Sequence, residues 1–292
     1  MSAPHAEAGL DVVVRFHDPR RLGELEQAVF SLVAQEYRPL RILLVLQRFS
    51  DEQAEAVRAA LAPLLALPGA PALEILRYAA PEPADARSAL VNMGFAAATG
   101  RYLALLDYDD ILYPEAYRLL AGRLQATGAA IAFAGILVRR AEVHPHFLHV
   151  LAAPQPFHGR GLADLLRGNF CPIHSFVLDR SRVAPRELHF EENLTLEEDY
   201  DFLLRVCARH RADFGLLGTV IGEYFFKTDE SNTLAGRSAP PPALAARAAA
   251  ARAFIEGRKQ LLPLSAEVQA DLGLRPPEPG LTIAQFLARR AP

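Results

Sequence analysis

Cysteine is scarce in this sequence: 2 in 292 residues, Cys171 and Cys207, far apart and each among apolar neighbours. That excludes a disulfide framework and fits a reducing compartment. An excess of one charge is missing too. With 31 Lys and Arg against 34 Asp and Glu, the formal net charge is -3, so no basic footprint points to nucleic acid. Long apolar runs are absent. None reaches the ~18 residues of a membrane span, and the stretch 59–73 is broken by Pro63, Pro68 and Pro71. No basic segment followed by an apolar core opens the chain, so a signal peptide is not expected. There is no internal repeat and no P-loop, HExxH or GxSxG pattern. The expectation is a cytoplasmic protein, soluble or peripheral to the inner face of the plasma membrane.

What is present is ordinary globular composition, 51% hydrophobic and 22% charged, enough for a sizeable core. Residues 11–16 read as a first buried strand. A helix follows, with Leu22, Leu25, Val29, Leu32 and Val33 at helical spacing. Residues 41–46 read as a second strand, and Ser50 or Asp51 caps a helix running to about Leu65. Further strands are predicted at 73–76, from Tyr102, at 130–138 and at 173–178. Further helices are predicted at 87–98, 114–126 and 199–209. Alternating strand and helix predicts an α/β, doubly wound, mostly parallel sheet flanked by helices. Composition shifts near residue 236, so the expected division is a domain over 1–235 and an Ala/Pro/Arg-rich helical appendage over 236–292, packed on the domain or on a partner.

The central stretch is Tyr102-Leu103-Ala104-Leu105-Leu106-Asp107-Tyr108-Asp109-Asp110. A short apolar run ends in three carboxylates. In open α/β sheets ligands gather at the carboxyl ends of strands, and carboxylates there suit a hard divalent cation. The same acids, before Pro114 and Glu115, would also suit a helix start with no metal. A second acidic cluster spans Glu191 to Asp201. Thr195 with Glu198 reads as a capping box; equally, a carboxylate fixed at a helix start is where a general base is well held.

Taken together and in order, these motifs resemble the family 2 glycosyltransferases with the GT-A fold, over about residues 10–233. Asp107-Tyr108-Asp109 is similar to that family's DxD motif, and Glu198-Asp199-Tyr200-Asp201 to the stretch carrying its base. Arg87 to Gly100, with Asn92 and Gly94, resembles the helix before the DxD strand. Pro172-Ile173-His174-Ser175 resembles an acceptor-side strand. Glu223-Tyr224, with Ser231-Asn232-Thr233, resembles the loop that closes over the donor.

The resemblance implies inverting transfer of a sugar from a nucleoside diphosphate sugar to a saccharide or lipid-linked hydroxyl, in cell-surface polysaccharide or glycolipid synthesis. It implies Mg²⁺ or Mn²⁺ held by Asp109, with Asp107 acting through the ribose or a metal-bound water, and Asp199 as general base. Phe16, Asp18, Gln47, Arg87, Asp107 and His174 are the residues it assigns to the donor. Departures exist. The family's acid pair after the second strand is replaced by Leu46-Gln47, and its first loop by Phe16-His17-Asp18. They leave the nucleotide open, and they leave room for a non-catalytic GT-A-like module. A nucleotidyltransferase would want a Gly-rich basic loop after the first strand, which is lacking.

Two other signals stand in the sequence. His144, His146 and His149 lie close in sequence, but no Cys or acid completes a tetrahedral set at usual spacing, so zinc is not expected there. Arg247, Arg252, Arg258 and Lys259 read as a solvated face of a tail helix, with contact to anionic lipid as the lesser reading.

Overall fold

The computed structural model describes residues 8–144, 147–153, 157–227 and 241–290. The expected division at 235/236, His146 and Ser231-Asn232-Thr233 lie outside them.

The first half of the chain is a βα alternation. Strand β1 (Leu10–Phe16) lies between β2 (Leu40–Gln47) and β4 (Tyr102–Asp107), and β3 (Ala72–Tyr78) forms one edge; all these pairs are parallel. Alternate β1 residues serve opposite faces, as the pleat requires. Val13 joins a cluster with Leu43, Val45, Leu103 and Leu105, while Val12 and Val14 join one with Ile42, Leu44, Ala104 and Leu106. Burial on both faces is why these strands read as continuous apolar runs. Helices α1 (Leu22–Val33), α2 (Asp51–Leu65) and α4 (Ala116–Thr127) cover the second face, and α3 (Arg87–Ala97) covers the first. Ser50 caps α2 reciprocally with Gln53. Gly94 lets α3 lie against β1: a Cβ there would sit 2.4 Å from Val13 Cγ1.

Beyond β4 the sheet becomes mixed. The full order is β3-β2-β1-β4-β8-β6-β9-β5, with β7 on the flank of β6. Strand β8 (Phe176–Asp179) runs antiparallel between β4 and β6 (Ile131–His144), and β6 pairs in parallel with β9 (Ala212–Lys227). The short β5 (Ile111–Leu112) closes the order, and β7 (Phe147–Ala152) forms a hairpin with β6.

The structure differs from the sequence reading in several places. Strand β6 runs on to His144 instead of ending at 138. Residues 172–175 form a turn, closed by Ser175 N–H donating to Pro172 O, so the strand starts only at Phe176. Strand β9 was not foreseen. Gly215, Gly218 and Gly222 interrupt its pattern, and its register with β6 slips three times; bulges blur period-two alternation. Glu223 and Tyr224 therefore belong to this strand and not to a loop.

After α5 (Leu162–Arg167), helix α6 (Glu198–Cys207) follows Glu197, which adopts a left-handed φ of 61°. Among the described residues, no side chain caps α6. The expected Thr195 capping box is absent because α6 starts two residues later than such a box requires, with Glu197 at the cap position; Thr195 Oγ1 accepts instead from Arg247 Nε at 3.1 Å. Helices α7 (Pro242–Leu261), α8 (Ala266–Asp271) and α9 (Ile283–Ala288) bring Ile255, Leu262, Leu264, Val268, Ile283 and Phe286 into the cluster that also holds α3 and α6. The expected solvated basic face is only partly so. Arg258 bonds Asp201 and Glu191, and Lys259 is buried with Nζ donating to Arg167 O. Among the described residues, no helix is long and apolar enough to cross a membrane.

Candidate active site

The carboxyl ends of β1, β2 and β4 open into a cleft of about 420 Å³, lined by Arg15, Gln47, Asp85, Arg87, the acids Asp107, Asp109 and Asp110, and Tyr224, among others. The parallel register explains the grouping. Arg15 of β1 sits beside Asp107 of β4. Its guanidinium grips Asp107 with two hydrogen bonds, Nε to Oδ1 at 2.7 Å and Nη2 to Oδ2 at 3.1 Å, and its Nη1 reaches Glu198 Oε1 at 3.3 Å. Burial opposes ionisation of Asp107, but the Arg15 charge and hydrogen bonds outweigh it and hold the carboxyl below its ordinary range. Arg87 pairs bidentately with Asp85 and stands 3.8 Å from Glu198 Oε1. Glu198 is thus a buried carboxylate between two arginines, linking the DxD side to the start of α6.

Ligand oxygens of Asp107, Asp109 and Asp110 lie within 4.8 Å of one another. Burial, then the charges of Asp109 and Asp107, push the Asp110 carboxyl well above its usual range. Such a set fits a divalent cation that takes oxygen ligands. One internal cation is already there. Lys227, the fully buried last residue of β9, donates to Asp109 Oδ2 at 2.6 Å and to Glu24 of α1.

Asp199 lies one residue from Glu198. Its Oδ1 accepts from Tyr200 N–H at 2.7 Å, and Asn169 Nδ2 donates to Oδ2 at 3.4 Å. Burial, then the carboxylates of Glu198 and Glu197, raise it to about 7. The segment before it is fastened to α3: Asn92 bonds both N–H and C=O of Phe190, and Ser88 Oγ donates to Leu194 O.

Of the residues expected at the donor, Gln47, Arg87 and Asp107 line the cleft. Gln47 Nε2 is committed to Ala84 O at 2.9 Å. The side chains of three others do not line it. Phe16 is fully buried beneath, against Phe49 and Tyr108. Asp18 caps the turn at Pro19–Arg21 and pairs with Arg20, whose hydrogen bonds hold its carboxyl at about 2. His174 is fully buried behind the wall. Its Nδ1 approaches Asp110 Oδ2 at 3.3 Å, but neither ring nitrogen has an aligned hydrogen-bond partner among the described residues, and burial holds the ring at about 4.

Sequence reasoning missed Arg15, Asp85, Asn169 and Lys227. Arg15 did carry a signal, since it is the lone charge in the run Val12–Phe16. Lys227 and Asn169 come from strand and loop segments without a legible pattern.

The family model for glycosyl transferase family 2 matches residues 12–183, which include Asp107 and Asp109. The chain belongs to that family. It is 29% identical over 124 residues to the succinoglycan biosynthesis protein ExoO of Rhizobium meliloti (strain 1021), a match covering 40% of this chain and 36% of that protein. The chain thus spans about a third of this relative's length. Two solved structures share the fold. TarS 1–349 of S. aureus in complex with UDP-GlcNAc has a TM-score of 0.61 at 12% identity, covering 89% of this chain and 69% of that one. The mannosyltransferase PcManGT of Pyrobaculum calidifontis, in complex with GDP-Man and Mn²⁺, has a TM-score of 0.52 at 14% identity, covering 96% and 79%. The fold is the GT-A type, a curled mixed sheet flanked by helices.

Proposed function

We propose that the chain transfers a sugar from a nucleoside diphosphate sugar to a hydroxyl acceptor, with inversion at the anomeric carbon, in the synthesis of a cell-surface polysaccharide or glycolipid. The observation that carries this is the Asp107-Asp109-Asp110 cluster joined through Arg15 and Glu198 to Asp199. The donor class follows the relatives, whose complexes hold UDP-GlcNAc and GDP-Man. The polysaccharide setting follows the succinoglycan relative.

Asp199 takes the proton from the acceptor hydroxyl. The acceptor oxygen then bonds to the anomeric carbon from the face opposite the diphosphate, whose oxygen leaves with the bonding electrons. A carboxylate held at about 7 by burial and like charges is a stronger base than an ordinary aspartate and is still half ionised near neutral pH. Arg87 faces the diphosphate, and Arg15 acts as a positioning residue that fixes Asp107 and Glu198 together. Asp109 and Asp107 would hold Mg²⁺ or Mn²⁺, which when bound neutralises charge on the leaving diphosphate. Asn169 orients the Asp199 carboxylate.

One observation favours a second reading. The Lys227 ammonium on Asp109 already supplies positive charge there, which suits a module that binds a donor without turning it over. Donor hydrolysis separates the two. The primary test is a thermal-shift screen of UDP-, GDP- and dTDP-sugars with Mn²⁺. A donor that binds the native state raises its melting temperature, and that rise should shrink in Asp109→Asn. No stabilisation by any donor would remove the proposal.

A further inference from the structure

The β6–β7 hairpin carries a second cluster of metal-ligating side chains, remote in chemistry from the DxD acids. In the antiparallel register Glu142 stands directly opposite His149, and His144 lies two residues along the same strand. Opposed residues share a face, and so do residues two apart. Glu142, His144 and His149 therefore project from one side of the hairpin, where Phe147, opposite His144, stacks on the His144 ring with centroids 4.5 Å apart. The acid that linear spacing did not supply is supplied by cross-strand pairing.

The geometry is close to that of a metal site. A tetrahedral ion with bonds of about 2.0–2.1 Å holds its ligand atoms about 3.3–3.4 Å apart. Here Glu142 Oε2 is 3.4 Å from His149 Nδ1 and 3.7 Å from His144 Nε2. All three ligand atoms fall within 4.8 Å of one another. Two edges of the tetrahedron are nearly in place, and the third is at most 4.8 Å. Two imidazoles and one carboxylate select a borderline transition metal, whereas the all-oxygen cluster in the cleft selects Mg²⁺ or Mn²⁺.

We propose that Glu142, His144 and His149 bind one transition-metal ion of the Zn²⁺ class, with the fourth position open to water. The site fastens the outer end of the hairpin. It does so next to β9, whose Lys227 pairs in register with Ala141, so the metal stiffens the strand that ends at the donor cleft.

The test is calorimetry of the full chain with Zn²⁺ alone, beside the absorption spectrum with Co²⁺. Asp109→Asn should still bind one Zn²⁺ and give the intense visible band of tetrahedral Co²⁺, because the hairpin site does not use the cleft acids. His144→Ala and His149→Ala, both at exposed positions, should each weaken Zn²⁺ on the order of tenfold or more, at least the loss that follows from disturbing a ligand's support. Glu142→Gln should weaken it as well. Zn²⁺ affinity unchanged in the His144→Ala/His149→Ala double variant overturns the proposal. So does equal competition by excess Mg²⁺, or binding seen only at millimolar Zn²⁺.

Discussion

Replacing Lys227 with Met tests how the charge in the cleft is balanced. Met keeps the length of the side chain and removes its ammonium, so Asp109 and Glu24 lose a shared partner that is itself fully buried. Breaking a buried ion pair from one side costs about 3–5 kcal/mol. The two carboxylate side chains are 21% and 13% exposed, and this partial screening favours the lower end. About 3 kcal/mol corresponds to a fall in melting temperature of roughly 6 °C for a chain of this size. Mn²⁺ should then rescue the variant more than it stabilises the parent, because in the variant no ammonium competes for Asp109. An ion at a hundred times its dissociation constant contributes about 2.7 kcal/mol, close to the loss. The assay is a melting curve of parent and variant across a Mn²⁺ series. A variant that melts with the parent without metal, or gains no more than the parent from Mn²⁺, refutes the reasoning.

Three further outcomes are expected. The rate of transfer should rise with pH along an acid limb near 7, since Asp199 must be ionised to act; Glu197→Gln removes one of the like charges and should move that limb to lower pH, measured in the pH profile of kcat/KM. Asp199 also bears on stability. Its folded pKa lies above the ordinary 3.8, so between about pH 4 and 7 the folded chain holds a proton that the unfolded chain has released, and this stabilising contribution is lost as pH rises through that window. Calorimetry with UDP, GDP and dTDP should show weak discrimination between bases, because Leu46 is fully buried and the Gln47 amide is bonded to Ala84 O; a strong preference for one base would mean that another side chain reads it.

The half of the fold that surrounds the cleft was legible because its strands are buried on both faces and its helices carry one apolar stripe. The DxD acids follow one such run, and their place at a strand end follows from the sheet. The other half was less so. Strand β9 is bulged and glycine-broken, and residues 172–175 look like strand but turn. The cap reading of Thr195 failed because Glu197 takes a left-handed conformation and the helix starts only at Glu198, which leaves the Thr195 hydroxyl to a tail arginine far away in sequence. Phe16 and Asp18 rested on the family resemblance alone, and local packing turns one into the core and the other onto Arg20. Glu142 joins His149 through strand pairing, which spacing along the chain does not reveal.

The central claim is that Asp199 acts as a base on an acceptor while the neighbouring cleft holds the donor. Asp199→Asn is nearly isosteric, and its Oδ1 can still accept from the Tyr200 N–H. The folded chain already disfavours charge at this position, so the melting temperature should equal or exceed the parent's. Donor affinity, measured by calorimetry with the nucleotide sugar that gives the largest thermal shift, should be unchanged. Transfer of that sugar should fall by about 10²- to 10⁴-fold. Transfer at the parental rate by a folded variant with parental donor affinity would contradict the account.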